Sequence, residues 1–196
     1  GGVAGHGLFF GTAYNPEAII DQPYMFDFYS GGGLDIAFVS FAEVDSDGNV
    51  NVTKFGNRND GAGGFIEITQ NASRIVFSGT FTGGGLDTSL NDGSLQIRNE
   101  GRIQKFVSGV KQISFNGQRA MAEGVEMIFV TERAVLRMTT DGLEIVEYAP
   151  GIDIGRDVLS QIPFPVSISK DAKPMDPRIF YDGAMGIRDE IVASVN

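Results

Sequence analysis

Apolar residues fall along this chain in short runs of strand length, separated by glycine-rich or Asp-Gly turns. Three runs stand out: 36–42 (IAFVSFA), 74–80 (RIVFSGT) and 125–131 (VEMIFVT). The first is nearly unbroken, and a run that is apolar on both faces suits a central strand of a covered, parallel sheet. Shorter alternating runs between Leu86 and Phe115 (SLQI, RIQKFV, QISF), with Asp-Gly and Glu-Gly turns among them, predict antiparallel hairpins. A further hairpin is predicted from 134–138 and 143–148 through Thr140-Asp141-Gly142, and the DSDGN turn at 45–49 joins the first strand to 49–55.

Helix signals are fewer. Asn15-Pro16-Glu17 has the order N-cap, first-turn proline and first-turn acid, so a short helix is predicted over 15–21, ended by Pro23. Tyr24, Phe26, Phe28 and Tyr29 then form a core or interface wedge. The stretch 65–72 opens a second helix, and Asp153 caps a third that runs to Ile162, before Pro163 and Pro165. From Lys170 onward, with Pro174 and Pro177, the chain reads as an extended arm. The expected architecture is α/β: a mainly parallel sheet flanked by helices, with antiparallel hairpin additions. The division is a domain over 1–165 and an arm over 166–196.

Composition narrows the chemistry. A length of 196 residues allows one sizeable core. A net charge of −10 opposes a broad electrostatic grip on nucleic acid, so an anionic ligand has to be met by local donors or by another chain. There is no cysteine, which removes thiolate metal sites and thiol nucleophiles. The DSDGN acids lack the later glutamate of a calcium loop, so no metal is expected. No apolar run reaches membrane-spanning length, and a cytoplasmic location is the expectation. The chain opens at Gly1 without methionine, which reads as a piece of a longer polypeptide. His6 has no partner pattern and reads as a packed or solvated residue.

The stretch 56–65 (GNRNDGAGGF) carries the candidate chemistry. Gly61, Gly63 and Gly64 allow positive φ and close approach of backbone N–H groups to a ligand. At a helix start such donors suit an oxyanion or a phosphate. An ordinary surface loop is the plain alternative.

Several segments, in order, resemble family I coenzyme A transferases, in their glutamate-bearing C-terminal half. They are Gly1-Gly2-Val3, the NPEAIIDQP stretch at 15–23, Phe26-Asp27-Phe28-Tyr29, Gly31-Gly32-Gly33-Leu34-Asp35, Asp47-Gly48-Asn49, Lys54-Phe55-Gly56, Gly61-Ala62-Gly63-Gly64-Phe65, Thr131-Glu132-Arg133 and the APGID stretch at 149–153. The resemblance implies the NagB/RpiA/CoA-transferase-like fold and a ping-pong transfer of CoA between a short-chain acyl-CoA and a carboxylic acid. CoA would be substrate and covalent intermediate, with no permanently bound cofactor. It implies a glutamate nucleophile in a Glu-x-Gly motif just before Gly1, because none of the ten glutamates of this chain stands in such a motif. Gly63 or Gly64 would donate to the oxyanion. Gly1, Gly2, Val3, Ala4, Asn57, Arg58, Gly61 and Ala62 would line the CoA thioester, pantetheine or phosphates. The implied partners are acyl-CoA, a short-chain carboxylate, the N-terminal half of the enzyme and further copies in a homo-oligomer; nucleic acid and membrane are not among them. The alternatives are a non-catalytic CoA- or nucleotide-binding module of the same fold, or a scaffold whose aromatic segment and tail serve assembly.

Overall fold

The computed structural model describes residues 3–5, 7–9 and 11–195. Its main sheet has six strands: β1 (Ile36–Ser40), β2 (Arg74–Ser78), β3 (Glu126–Val130), β4 (Ala134–Thr139), β5 (Gly142–Tyr148) and β6 (Ser167–Pro174). In space they lie in the order β6-β5-β4-β3-β2-β1. Strands β1, β2 and β3 are parallel, β4 is antiparallel to both neighbours, and β6 runs parallel to β5. This is the mixed, mostly parallel α/β sheet that the apolar runs predict, but β1 stands at an edge and not in the middle.

One face of the sheet carries the core. Ala37, Ile75, Phe77, Met127, Phe129, Leu136, Leu143 and Ile145 alternate along their strands and are buried there. Phe77 is the hub: its ring stacks on Phe129 at 4.9 Å, meets Phe115 edge-on at 5.3 Å and reaches Phe65 at 6.3 Å. Burying one such ring contributes about 1.5–3 kcal/mol, and pairs of this geometry add about 0.5–1.5 kcal/mol. Phe65 lies in helix α2 (Phe65–Thr69) and Ala120 in helix α3 (Gly117–Ala122), so both crossover helices pack on this face.

The predicted helix at 15–21 is not formed. Asn15 has φ 51°, and the helix is α1 (Gln22–Ser30), which Pro23 opens instead of preventing. Proline's fixed φ and missing N–H suit the first turn, where the donor has no partner anyway. The aromatic wedge therefore rides on α1, with Tyr24 66% and Phe28 57% exposed. Phe26 is half-buried, and a Cβ built on Gly64 would stand 2.5 Å from its ring. The bare backbone at Gly64 is thus what lets α1 approach α2.

Of the Leu86–Phe115 hairpins, the first forms between Asp87–Asn91 and Ser94–Asn99, turned by Asp92 and Gly93 at φ 49° and 76°. Ile103–Gln104 pairs instead with Thr82–Gly83. The predicted helix after Asp153 is a π turn (Ile154–Val158) followed by a 3-10 turn (Leu159–Gln161), and Asp153 caps it by accepting from the Arg156 N–H at 2.8 Å. Part of the segment read as an arm is strand β6, and beyond it Met175 and Phe180 join Leu95 and Ala149 in a second buried cluster. A helix α4 (Arg188–Val195) follows.

Arg133 ties these layers together. Its side chain is fully buried; Nη1 meets Glu100 at 2.5 Å, Nε meets Glu132 at 2.7 Å, and the guanidinium covers the Phe81 ring at 4.7 Å. Burial works against this charge, but the hydrogen bonds it donates to both carboxylates outweigh it and the guanidinium is held above its ordinary value.

Two outcomes follow for the polypeptide carrying these residues. Glu100→Gln combined with Glu132→Gln strands a buried cation and is expected to lower stability by about 3–5 kcal/mol, whereas Arg133→Met, which also removes the desolvated charge, costs less. Urea midpoints give the ranking, and equal losses would mean that the guanidinium is only a spacer. Gly64→Ala is expected to cost about 1–3 kcal/mol by pressing on Phe26. A double-mutant cycle with Phe26→Ala should recover part of it, and strict additivity would refute the contact.

Candidate functional site

The glycine turn sits where β1 hands the chain to α2, at the carboxyl end of the parallel strands, which is where open α/β sheets bind ligands. The approach to it is fixed by a buried polar network. Asn51, fully buried, donates from Nδ2 to Glu43 Oε2 and to the Lys54 carbonyl, both at 2.8 Å. Its Oδ1 accepts from the N–H groups of Thr53 and Lys54 at 3.0 Å. Asp45 holds the preceding turn by accepting from the Asp47 and Asn49 N–H groups at 3.1 Å. Buried amides and carboxylates this fully paired hold one geometry, since any shift would leave a group unsatisfied.

From that anchor a small hairpin projects, Lys54–Phe55 against Arg58–Asn59, with Asn57 in its tip. Arg58 is mostly exposed and pairs with Asp60 at 2.6 Å. Asp60 closes the hairpin by donating its N–H to the Thr53 carbonyl at 2.8 Å. The turn proper follows. Gly61 and Gly63 have φ 81° and 55°, in the left-handed region, and no atom lies within 4 Å of where a Cβ would stand on either. Gly64 has φ −85° and precedes α2 as its N-cap. Conformation thus requires glycine at Gly61 and Gly63, whereas Gly64 is required by the ring above it.

Among the described residues, no group accepts a hydrogen bond from the N–H groups of Gly61, Ala62, Gly63 or Gly64. Phe65 N–H is taken by the Ala62 carbonyl at 3.1 Å. Gly61 and Gly63 are exposed, and Ala62 and Gly64 half-buried. Four consecutive backbone donors on this turn are therefore without an acceptor among the described residues. Helix α2 has five residues, so its dipole is small and the donors themselves carry the polarity.

Of the other residues singled out in the sequence, Gly1, Gly2 and His6 lie outside the described residues. Val3–Ala4 forms a two-residue strand paired with Ala13–Tyr14. No hydrogen bond joins that strand to the glycine turn among the described residues.

Sequence patterns do not mark Lys105 as a candidate. Its ammonium lies 4.0 Å from the Phe41 ring centre and against Gly79, at the ends of β1 and β2. Burial pushes it below its ordinary value, partly offset by the charge of Glu132. Its neighbours come from three separate stretches of chain, so no local pattern announces it. Among the described residues no group of three or more acidic or histidine side chains is placed to hold a metal, and no helix is long and apolar enough to cross a membrane.

No family model matches the chain. It is 46% identical over 186 residues to the acetate CoA-transferase YdiF of Escherichia coli K12, covering 95% of this chain and 35% of that protein. It is 43% identical over 178 residues to the caffeate CoA-transferase of Acetobacterium woodii, covering 88% of this chain and 34% of that one. The crystal structure of the YdiF apoenzyme from E. coli O157:H7 superposes with a TM-score of 0.86 over 90% of this chain and 34% of its own. A thioester complex of the same enzyme with CoA also gives 0.86, over 89% of this chain and 34% of its own. The chain therefore spans about a third of the length of the relatives it matches. By sequence and by fold it belongs to the family I coenzyme A transferases, as a stretch matching about a third of such an enzyme.

Proposed function

We propose that these residues form the oxyanion-holding part of an acyl-CoA:carboxylate CoA-transferase, and that the nucleophile is a glutamate preceding Gly1 in the longer polypeptide. The observation that carries this reading is the run of unpaired N–H groups at 61–64, in a chain whose relatives are named as CoA-transferases. The YdiF structure described as a thioester complex with CoA supports a covalent CoA intermediate.

The glutamate carboxylate attacks the carbonyl of a short-chain acyl-CoA; the C–S bond breaks, giving CoA thiolate and an acyl-glutamyl anhydride. The thiolate then attacks the glutamyl carbonyl, releasing the first carboxylate and leaving a glutamyl-CoA thioester. An acceptor carboxylate attacks that thioester, and the same two steps run in reverse deliver its CoA ester and the free glutamate. Each addition places negative charge on a carbonyl oxygen, which Gly63 or Gly64 N–H stabilises in the transition state. Gly61 and Ala62 extend that array toward the thioester, Asn57 and Arg58 meet the pantetheine or phosphates, and Gly1 to Ala4 run beside the reacting sulfur. The enzyme is cytoplasmic and homo-oligomeric, has no permanently bound cofactor, and draws the remaining walls of its CoA site from its N-terminal half.

Incubating the full-length polypeptide with acetyl-CoA and then borohydride is expected to abolish activity and to reduce one glutamate that maps outside residues 1–196. CoA binding without a covalent adduct would favour a non-catalytic CoA-binding module and overturn the assignment. Gly63→Ala keeps the N–H but resists φ 55°, so kcat is expected to fall about 10- to 100-fold, less than the roughly 100- to 1000-fold lost when an oxyanion donor is removed outright. An unchanged kcat would remove Gly63 from the reacting site.

A further inference from the structure

The two edges of the main sheet differ in a way that bears on how it is completed. Strand β6 carries Lys170, Asp171, Lys173 and Pro174, and its pairing with β5 is interrupted by a register shift. Charge, proline and bulges are the devices by which a true sheet edge avoids pairing with another strand. Strand β1, IAFVS, has none of them: five residues without charge, proline or bulge. Arg74 N–H donates to the Asp35 carbonyl, so Asp35, Ala37 and Val39 turn their backbone groups toward β2, and Ile36, Phe38 and Ser40 turn theirs to the free edge.

The uncovered face gives the same indication. Register places Phe38, Val76 and Ile128 in one row across β1, β2 and β3, on the side away from the core. Phe38 is 70% exposed and Ile36 39%, while the hairpin at 87–99 and the segment at Met175–Phe180 cover only the β4–β5 side. Between covered and uncovered parts runs a cleft of about 720 Å³, with Leu90, Ile128, Val135 and Phe180 among its walls. The crossovers within this chain cannot close the gap. Order β1, β2, β3 steps in one direction, and right-handed crossovers then put every helix on one face, as α2 and α3 are.

We infer that β1 is an interior strand of the complete protein. A further parallel strand, from the part of the same polypeptide outside residues 1–196, pairs with its free edge, and the helix connected to that strand covers the Phe38–Val76–Ile128 row. A parallel partner suits a strand apolar on both faces. A chain direction that reverses at β1 is what places a layer on the second face. About two thirds of the relatives' length lies outside the matched stretch, which is ample for such a layer. The inference deepens the reading above by naming where the other half of the enzyme docks, but it rests on topology and exposure and not on acyl transfer.

The test uses the full-length polypeptide. Hydrogen–deuterium exchange is expected to find all five amides of Ile36–Ser40 slow, with Phe38→Cys reacting with a maleimide at least about 100-fold more slowly than in urea, as for a site exposed only by opening. Rapid exchange at Ile36, Phe38 and Ser40 overturns the proposal whether or not the variant folds, because exchange is read on the unaltered protein. Protection that disappears on dilution to monomer would assign the edge to a second copy and equally refute it. Covalent trapping by acyl-CoA is scored separately, so loss of either conclusion is recognisable without the other.

Discussion

The position of the Phe77 ring is the constraint on which most of this structure depends. It stacks on Phe129 across the parallel pair β2–β3 and touches Phe65 at the start of α2. The path continues from Phe129 to Phe41 at 5.9 Å, to Phe106 at 6.0 Å and to Phe81 at 4.6 Å, where the Arg133 guanidinium closes it. One continuous aromatic layer therefore fixes both the helix that follows the glycine turn and the buried cation at the opposite end. Interiors packed at this density shift little, so a turn on their rim inherits a defined position although it lies at the surface itself.

The electrostatics follow the same logic. The chain carries a formal charge of −10, yet its buried cation is enclosed by carboxylates, and Glu132 serves twice, to Arg133 Nε and to the Phe81 N–H at 2.7 Å. Asp157, beside this network, is held below the ordinary carboxylate range by its hydrogen bond from Arg156, against the opposing effect of burial. A depressed carboxylate adds stability above its unfolded value and loses it as pH falls through the folded one, so this part of the molecule weakens only in acid.

Much of the fold was legible in the sequence because strands announce themselves locally. The runs 36–42, 74–80 and 125–131 needed only apolar continuity, and the Asp-Gly turns needed only chirality at one or two residues. Helix α1 was misplaced because Asn15-Pro16-Glu17 and Asp21-Gln22-Pro23 offer similar starts, and packing of Phe26 on Gly64 chose the second. Strand β6 was concealed by the same lysines and proline that guard its edge, since they read as an extended arm and not as a strand of the sheet. At the site, the glycines were visible and so was positive φ as their reason, which holds at Gly61 and Gly63, but the neighbouring ring that requires Gly64 was not. Lys105 and the Glu100–Arg133–Glu132 group were unreadable because their contacts join residues from distant stretches of the chain.

The connection from β2 to β3 is the longest between neighbouring strands of the sheet, and it contains the hairpin at 87–99, Glu100 and α3. Closing it costs conformational entropy before the Phe77–Phe129 stack or the Glu100–Arg133 pair returns anything. These two contacts of the native state are thus among the last the chain can make. The crossover that gives the molecule its rigidity is for the same reason the step that slows its folding.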